Sequence, residues 1–571
     1  MRNPIVARAV GLIVVVAIAL VASGSGVAAV GPGEENGHAF AFEHAAVVTM
    51  SSEQVLPDHT VIVSGTRITS VGPSASAQVP AGAIRIDGRG KYLMPGLADM
   101  HVHIYDANDF KLMLASGVTT VLNMSGSPQV LGWRSAIGTG ELLGPTVYTT
   151  GPMLRVDYDA PLDSQAVVKS PADAGDLVGA HASAGYDFVK VWSSFPRDSY
   201  DAILAAARAR HVPVTGHVPE PVGLEHALKT GQTSIAHVEE LWNKHFHRQF
   251  SETKLADAVR LAKEARADVT TTLVTYEAIV GASDENNATL LRRTERELLD
   301  PVRQVTWRSE FNRLHNQATG KADYFRSSLM HMQRIVRALH NGGVRLLAGT
   351  DAGEIPGLVP GVDLHRELEL IVASGLSPYD ALAAATRNPG DYLREKDRFG
   401  TISPGCRADL VLIDANPLAS ISNARRIAGV MVNGTWLPRP RLDSLVEELR
   451  KDSRKMGDFV DKALQGGAGA AKSYYDDQKR SDPSAFVFSE TPAEMLAFLL
   501  LKKRKTEEAL ELLRLVAKEY PSSYLPHYII ARVSIDAGRK REAAAALTGM
   551  LARCPEHPEA GTLKTLVSSP D

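Results

Sequence analysis

From about residue 94 to residue 393 the chain alternates short runs rich in β-branched residues with runs of helix-forming residues, and few folds accept that pattern. Residues 112–116 precede Val118-Thr119-Thr120-Val121, residues 202–209 precede Val212-Pro213-Val214, and residues 222–229 precede Thr233-Ser234-Ile235. Such alternation predicts a parallel sheet covered by helices. Several of the β-like runs also end on a side chain that can carry chemistry. These are His101 and His103 after Pro95-Gly96-Leu97-Ala98-Asp99-Met100, Lys190 in Phe188-Val189-Lys190-Val191-Trp192, His217 in Val214-Thr215-Gly216-His217-Val218, His237 in Ser234-Ile235-Ala236-His237-Val238, and Asp351 in Leu347-Ala348-Gly349-Thr350-Asp351. An open doubly wound sheet gathers its site at one switch point. Residues drawn from the ends of many strands favour a closed (β/α)8 TIM barrel, with the site at its C-terminal rim.

His101 and His103 lie on one face of a strand because side chains alternate with period two, so both imidazoles can reach one metal ion. An isolated His-x-His is more often a pair of surface histidines; the downstream residues change that balance. Two histidines, a lysine, two more histidines and an aspartate are too few for two separate metal sites unless one group bridges. An ammonium cannot bridge, since it has no lone pair and its charge opposes the metal's. A Lys190 amine that had captured carbon dioxide would be an anionic carbamate with two oxygen donors. The competing readings are a buried lysine paired with a carboxylate, and Asp351 as a loop residue in Gly-Thr-Asp-Ala-Gly.

With these motifs in place, the chain resembles the amidohydrolase superfamily, within it the branch of imidazolonepropionase-like proteins, Xaa-Pro dipeptidases and ochratoxin-hydrolysing amidases. The resemblance covers roughly residues 43 to 440 and runs in the family's order. Tyr92-Leu93-Met94-Pro95-Gly96-Leu97-Ala98-Asp99-Met100-His101-Val102-His103 is similar to the first-strand motif, and Gly349-Thr350-Asp351 to that of strand eight. Segments 364–370 and 400–411 resemble those that close the barrel and re-enter the β-unit. The resemblance implies that His101, His103 and Asp351 hold one divalent ion and His217 and His237 a second. A carbamylated Lys190 and a hydroxide then lie between them. Zinc is the default for such ligands, and manganese, cobalt or iron also suit them. It further implies hydrolysis of an amide bond, in dipeptides including Xaa-Pro or in N-acyl amino acids, with Asp351 as general base and then acid. Imidazolonepropionase uses one metal and lacks the lysine, so Lys190 favours the dipeptidase-like and amidase-like relatives. The same site would also serve an esterase, lactonase or phosphoester hydrolase, and a silent scaffold is the alternative outside enzymes.

The flanks have a different texture. Residues 43–93 and 398–440 read as short strands and turns, such as the hairpin Val61-Ile62-Val63, Ser64-Gly65-Thr66-Arg67, Ile68-Thr69-Ser70-Val71, and are expected to form one composite β-sandwich around the barrel of 94–397. Residues 281–339 are too long and charged for a minimal βα unit and are expected to lie over the barrel mouth, with a purely structural cover as the competing reading. In 445–571, Ala497, Ala509, Leu513 and Pro521 recur 34 positions later as Ala531, Ala543, Leu547 and Pro555, the period of tetratricopeptide helical hairpins. Two such repeats seldom hold a core alone. They are expected to pack on the helices of 445–463, on the barrel or on another subunit, and could recruit a protein partner or form a homo-oligomer. Arg2, Arg8, the apolar run 9–22 and Val27-Ala28-Ala29 have the layout of a secretory signal peptide over 1–29, which predicts a periplasmic or extracellular protein; an uncleaved anchor is the competing reading. A net charge of -3 argues against a nucleic-acid partner. Cys406 and Cys554 fall in different regions and are not expected to pair. Around the site, Arg155, Trp242, Tyr276 and the loop 354–363 are candidate pocket residues, whereas His245 and His247 read as diverging surface side chains.

Overall fold

The computed structural model describes residues 39–568 apart from 157–162, 285–286, 309–311, 394–397, 482–489, 556 and 558, so the export-signal reading of 1–29 falls outside the described residues. Eight parallel strands form the barrel: Leu97–Val102, Val118–Asn123, Thr146–Thr149, Val189–Val191, Val214–Gly216, Gln232–Ile235, Asp268–Thr270 and Leu346–Leu347. Two bridges complete the ring, Thr150 to Phe188 between the third and fourth strands and Val102 to Ala352 between the first and eighth. Backbone N–H groups of Met100 and His103 donate to the carbonyls of Ala348 and Ala352 at 2.9 and 2.8 Å across the second seam. The first two strands are buried at every position, as a sheet covered on one face and filled on the other requires. The covering helices bury one stripe: Arg197–Ala209 turns Tyr200, Ile203, Leu204 and Ala207 inward at helical spacing.

The flanking strands pair across the whole barrel sequence. Ala39–Val48, Val55–Ser64, Arg67–Pro73, Ile84–Asp87 and Tyr92–Pro95 join Leu410–Ile413, Ile427–Val432 and Thr435–Pro438 in one eight-stranded sheet, with Tyr92–Pro95 antiparallel to Leu410–Ile413. The hairpin is present, Ser64 facing Arg67 across a turn in which Gly65 takes φ +54°. The sheet bends over its own core of Phe40, Phe42, Val61, Leu93, Leu410 and Met431, so that its edge strand Arg67–Pro73 returns to the segment before Leu410–Ile413, where Arg67 bridges Arg407. Tyr92–Pro95 runs straight into the first barrel strand, so the β-unit fixes where that strand begins.

The long segment before the eighth strand folds as helices, including Ala288–Leu291, Pro301–Thr306, Arg313–Ala318 and Ala322–Asn341. Arg303 fastens it to the start of helix Asp109–Ala115, just beyond His103. Its guanidinium donates to both carboxylate oxygens of Asp109 at 3.0 and 2.9 Å, Asp300 lies at 3.5 Å, and the pair is buried. Helix Arg439–Ser481 changes direction at Gly467, and Glu490–Lys502, Thr506–Glu519, Leu525–Asp536, Lys540–Arg553 and Ala560–Ser568 follow. Ala497, Ala509, Ala531 and Ala543, the recurring small residues, are all fully buried. Val302 and Val305 of the long segment share a core with Phe459, Val460 and Leu496, so the C-terminal helices rest on their own chain. Both cysteines are free. Among the described residues no helix is long and apolar enough to cross a membrane.

Arg303→Met would leave Asp109 and Asp300 buried without a counter-charge, and is expected to cost about 3–5 kcal/mol. A denaturant titration checks this, with Arg326→Met, whose partner Asp323 is fully exposed, as a control that leaves the midpoint in place.

Candidate metal centre

The turn after the eighth strand brings Asp351 to the end of the first. His101 O accepts from the backbone N–H of Thr350 at 3.2 Å and of Asp351 at 2.7 Å, and Asp351 takes φ +60°, a conformation short polar residues tolerate best among non-glycines. Gly353, at φ +100°, passes so close that a Cβ there would lie 1.9 Å from His103 O. Asp351 Oδ1 thereby sits 3.3 Å from His101 Nε2 and 3.1 Å from His103 Nε2. The three residues are buried, with one donor atom from each within 4.8 Å of the others. His103 Nε2, His217 Nε2 and Asp351 Oδ1 are sealed from solvent without an aligned hydrogen bond. Buried polar atoms are almost always paired. Unpaired imidazole nitrogens and a carboxylate oxygen at the ends of three strands are the donor types that divalent ions take.

Lys190 occupies the middle of the fourth strand with no exposure, and its Nζ lies 3.3 Å from His101 Nε2. Burial lowers its pKa to about 8, against the weaker pull of Asp351, Glu354 and Glu240. Its polar partner is thus an imidazole nitrogen, and Asp351, Glu354 and Glu240 act on it through charge alone. The His237 ring lies tilted against that of His101, centroids 4.2 Å apart, and meets the His217 ring edge-on at 5.1 Å. The structure thus gathers all six sequence-predicted residues at one end of the barrel.

A surrounding layer of side chains aims these donors. Glu240 Oε1 lies 3.0 Å from His217 Nδ1, while its other oxygen accepts from Val218 N–H at 3.0 Å. A carboxylate at Nδ1 keeps the proton there and leaves Nε2 as a lone pair. Ser193 Oγ also reaches Nδ1, at 2.7 Å, and Trp192 packs 4.3 Å from the ring. His237 Nδ1 meets Thr272 Oγ1 at 3.0 Å. Thr272 takes φ +44°, a strained conformation for a β-branched residue, and buried Glu367 holds that turn by accepting from Thr271 Oγ1 and Val274 N–H. Asp99, with no exposure, accepts from Thr350 Oγ1 at 2.7 Å, Thr350 N–H at 3.1 Å and His101 N–H at 3.2 Å. Burial pushes its pKa up to about 7, partly offset by the Thr350 hydroxyl. Burial would raise Asp351 too, but His101 and His103 outweigh it and hold Asp351 well below the usual carboxylate range.

Sequence reasoning passed over Asp99, Glu240, Thr272 and Glu367. Asp99 and Glu240 stood within reach of a motif reading, one two residues before His101 and the other three after His237; nothing local marks Thr272 or Glu367. Of the pocket candidates, Trp242 and Tyr276 are buried in packing. Arg155 donates to Gln165 Oε1 at 3.2 Å and lies 4.7 Å over the Trp192 ring. Tyr105 donates to Glu354 Oε2 at 3.2 Å, placing the loop 354–363 at the rim beside the first strand. His245 and His247 do not converge: His245 is half-buried, with Nε2 2.9 Å from the Lys254 carbonyl rather than in solvent, and His247 is exposed.

Glu240→Gln replaces the acceptor at His217 Nδ1 with a weaker one. It is expected to weaken binding of added zinc roughly ten- to a hundredfold with the fold intact, measured by competition with a chromophoric chelator.

A model of the amidohydrolase family matches residues 92–437. An adenine deaminase of Rubrobacter xylanophilus is 24% identical over 380 residues, which span 65% of this chain and 53% of that protein. The chain spans about half or less of the length of the curated relatives it matches. Among solved structures, a candidate prolidase of Bifidobacterium longum superposes with a TM-score of 0.55 at 26% identity, over 72% of this chain and 99% of that one. Bottromycin amidohydrolase does so with a TM-score of 0.60 at 26% identity, over 73% and 90%. With the family match extending from the last strand before the barrel to the last strand of the β-unit, the chain belongs to the amidohydrolase family.

Proposed function

We propose that the protein is a metal-dependent hydrolase of carbon–nitrogen bonds, acting on the amide bond of dipeptides, Xaa-Pro among them, or of N-acyl amino acids. The observation that carries this reading is the convergence of His101, His103, Asp351, Lys190, His217 and His237 at the C-terminal mouth of the barrel. His101, His103 and Asp351 would hold one divalent ion and His217 and His237 a second, with zinc suited to both sets. The buried Lys190, with Nζ 3.3 Å from His101 Nε2, is the group that would bridge them. Its amine, on adding to carbon dioxide with loss of a proton, would supply anionic oxygen donors there. Ions held there would supply Lewis acidity and lower the pKa of a water to about 7. Asp351, aimed at the same point, accepts the proton of the attacking water and delivers it to the leaving nitrogen. Glu240 and Thr272 keep His217 and His237 oriented throughout, and Asp99 keeps Asp351 in register with His101. Export through residues 1–29 belongs to the same reading and rests on the charge and hydropathy of that segment.

A second reading, hydrolytic deamination of an amino-substituted heterocycle, is favoured by the adenine deaminase relatives. It breaks a carbon–nitrogen bond with the same groups. The likeness to a prolidase-like structure along nearly its full length supports the amide reading.

A panel of dipeptides, N-acyl amino acids and adenine, with release of amine and of ammonia followed separately, distinguishes the two readings; turnover of adenine alone would overturn the first. Asp351→Asn is expected to abolish turnover, a loss of at least about a hundredfold for a group that transfers protons. Lys190→Ala is expected to lower metal content and activity together, with partial recovery when a short carboxylic acid is added. Elemental analysis beside the assay checks this, and full metal occupancy with full activity would remove Lys190 from the bridging position.

A further inference from the structure

The C-terminal helices meet the barrel at a group of carboxylates that, among the described residues, no cation pairs with. Asp163 lies on the connection between the third and fourth barrel strands, just before the short strand Gln165–Val167, and accepts a hydrogen bond from the Tyr524 hydroxyl at the start of helix Leu525–Asp536. Glu490 and Glu494, on the first turns of helix Glu490–Lys502, are near enough for charge to act among the three carboxylates. Glu494 is 2% exposed, and one carboxylate oxygen of each glutamate is sealed from solvent without a hydrogen-bond partner. The titratable groups packed around them are Tyr186 from the barrel and Tyr520, Tyr524, Tyr528, Cys554, His557 and Glu559 from the C-terminal helices. Ser523 donates to Glu490. The cations at hand are engaged elsewhere, Arg532 with Glu559 at 3.0 Å and Arg134 with Asp187 at 3.0 Å, and burial holds His557 neutral. The adjoining segments 157–162 and 482–489 contain no basic residue.

Two things could relieve three carboxylates so placed: a bound cation or protons. Among the described residues only His101, His103 and Asp351 bring donor atoms within 4.8 Å of one another, so the oxygens of Asp163, Glu490 and Glu494 do not form a ready cage. We propose that the contact of the C-terminal helices with the Asp163 segment is a proton-operated latch on the active-site rim, closed while its carboxylates are neutral and opening as they ionise. Burial pushes Asp163 up to about 6 and raises Glu490 and Glu494, the latter strongly. For a carboxylate raised in the closed state, the contact is fully stabilised below the ordinary value of about 4 and weakens as pH climbs through the raised value. The latch bears on the site because Gln165, two residues after Asp163, accepts from Arg155, which stacks on Trp192, which packs on His217.

The test needs no substrate and stands whether or not the amide reading holds. Hydrogen–deuterium exchange of the intact chain over helices Glu490–Lys502 and Leu525–Asp536 is measured at pH 5 and pH 7. Each value is divided by that of the Asp163→Asn, Glu494→Gln protein at the same pH, so intrinsic exchange chemistry cancels. The ratio is expected to rise roughly tenfold or more from pH 5 to pH 7, the linkage for one carboxylate moved from about 4 to about 6. A ratio that stays flat or falls overturns the latch. Should the double variant not fold, Asp163→Asn alone serves, with a smaller rise expected and the same flat result decisive against the proposal.

Discussion

The seam between the first and eighth barrel strands is the constraint on which the rest of the structure depends. Asp99 takes hydrogen bonds from both strands, His101 O takes them from Thr350 and Asp351, and Gly353 lets the chain pass against His103. Closing the ring there is what turns a His-x-His pair and an aspartate some 250 residues later into one donor set. A carboxylate without exposure is costly unless its lone pairs are filled. Asp99 meets that condition only when the seam is formed, so the closure and the candidate site stabilise each other.

Outside that seam the donors are held by residues that have no need to touch a substrate. Glu240 and Thr272 set the faces of His217 and His237, and Glu367 stabilises the left-handed turn on which Thr272 depends. Lys190 is the opposite case. It is enclosed by the barrel with an imidazole nitrogen as its nearest polar neighbour, an environment that penalises an ammonium and suits a neutral amine or a modified one.

The helical segment before the eighth strand and the C-terminal helices form a single layered addition. Arg303 ties the first to helix Asp109–Ala115, and Val302 and Val305 tie it to the second. The C-terminal helices are therefore supported by the rim, and their contact at Asp163 lies three side chains from His217.

Strand–helix alternation and the residue types closing each strand determined the barrel and all six candidate donors, because both are periodic or adjacent in sequence. The β-unit hairpin was equally legible, since Gly65 and the flanking β-branched runs are local signals. What only the tertiary structure decided was pairing at a distance. Glu240 and Glu367 look like ordinary helix-surface acids in sequence and become buried acceptors through the packing of whole elements. The small-residue repeat near the C-terminus was visible, but where those helices rest depended on Val302 and Val305, two valines that no pattern singles out. Donor chemistry is written in side-chain type and spacing; orientation and docking arise from packing and long-range hydrogen bonds, which exist only once the chain has closed on itself.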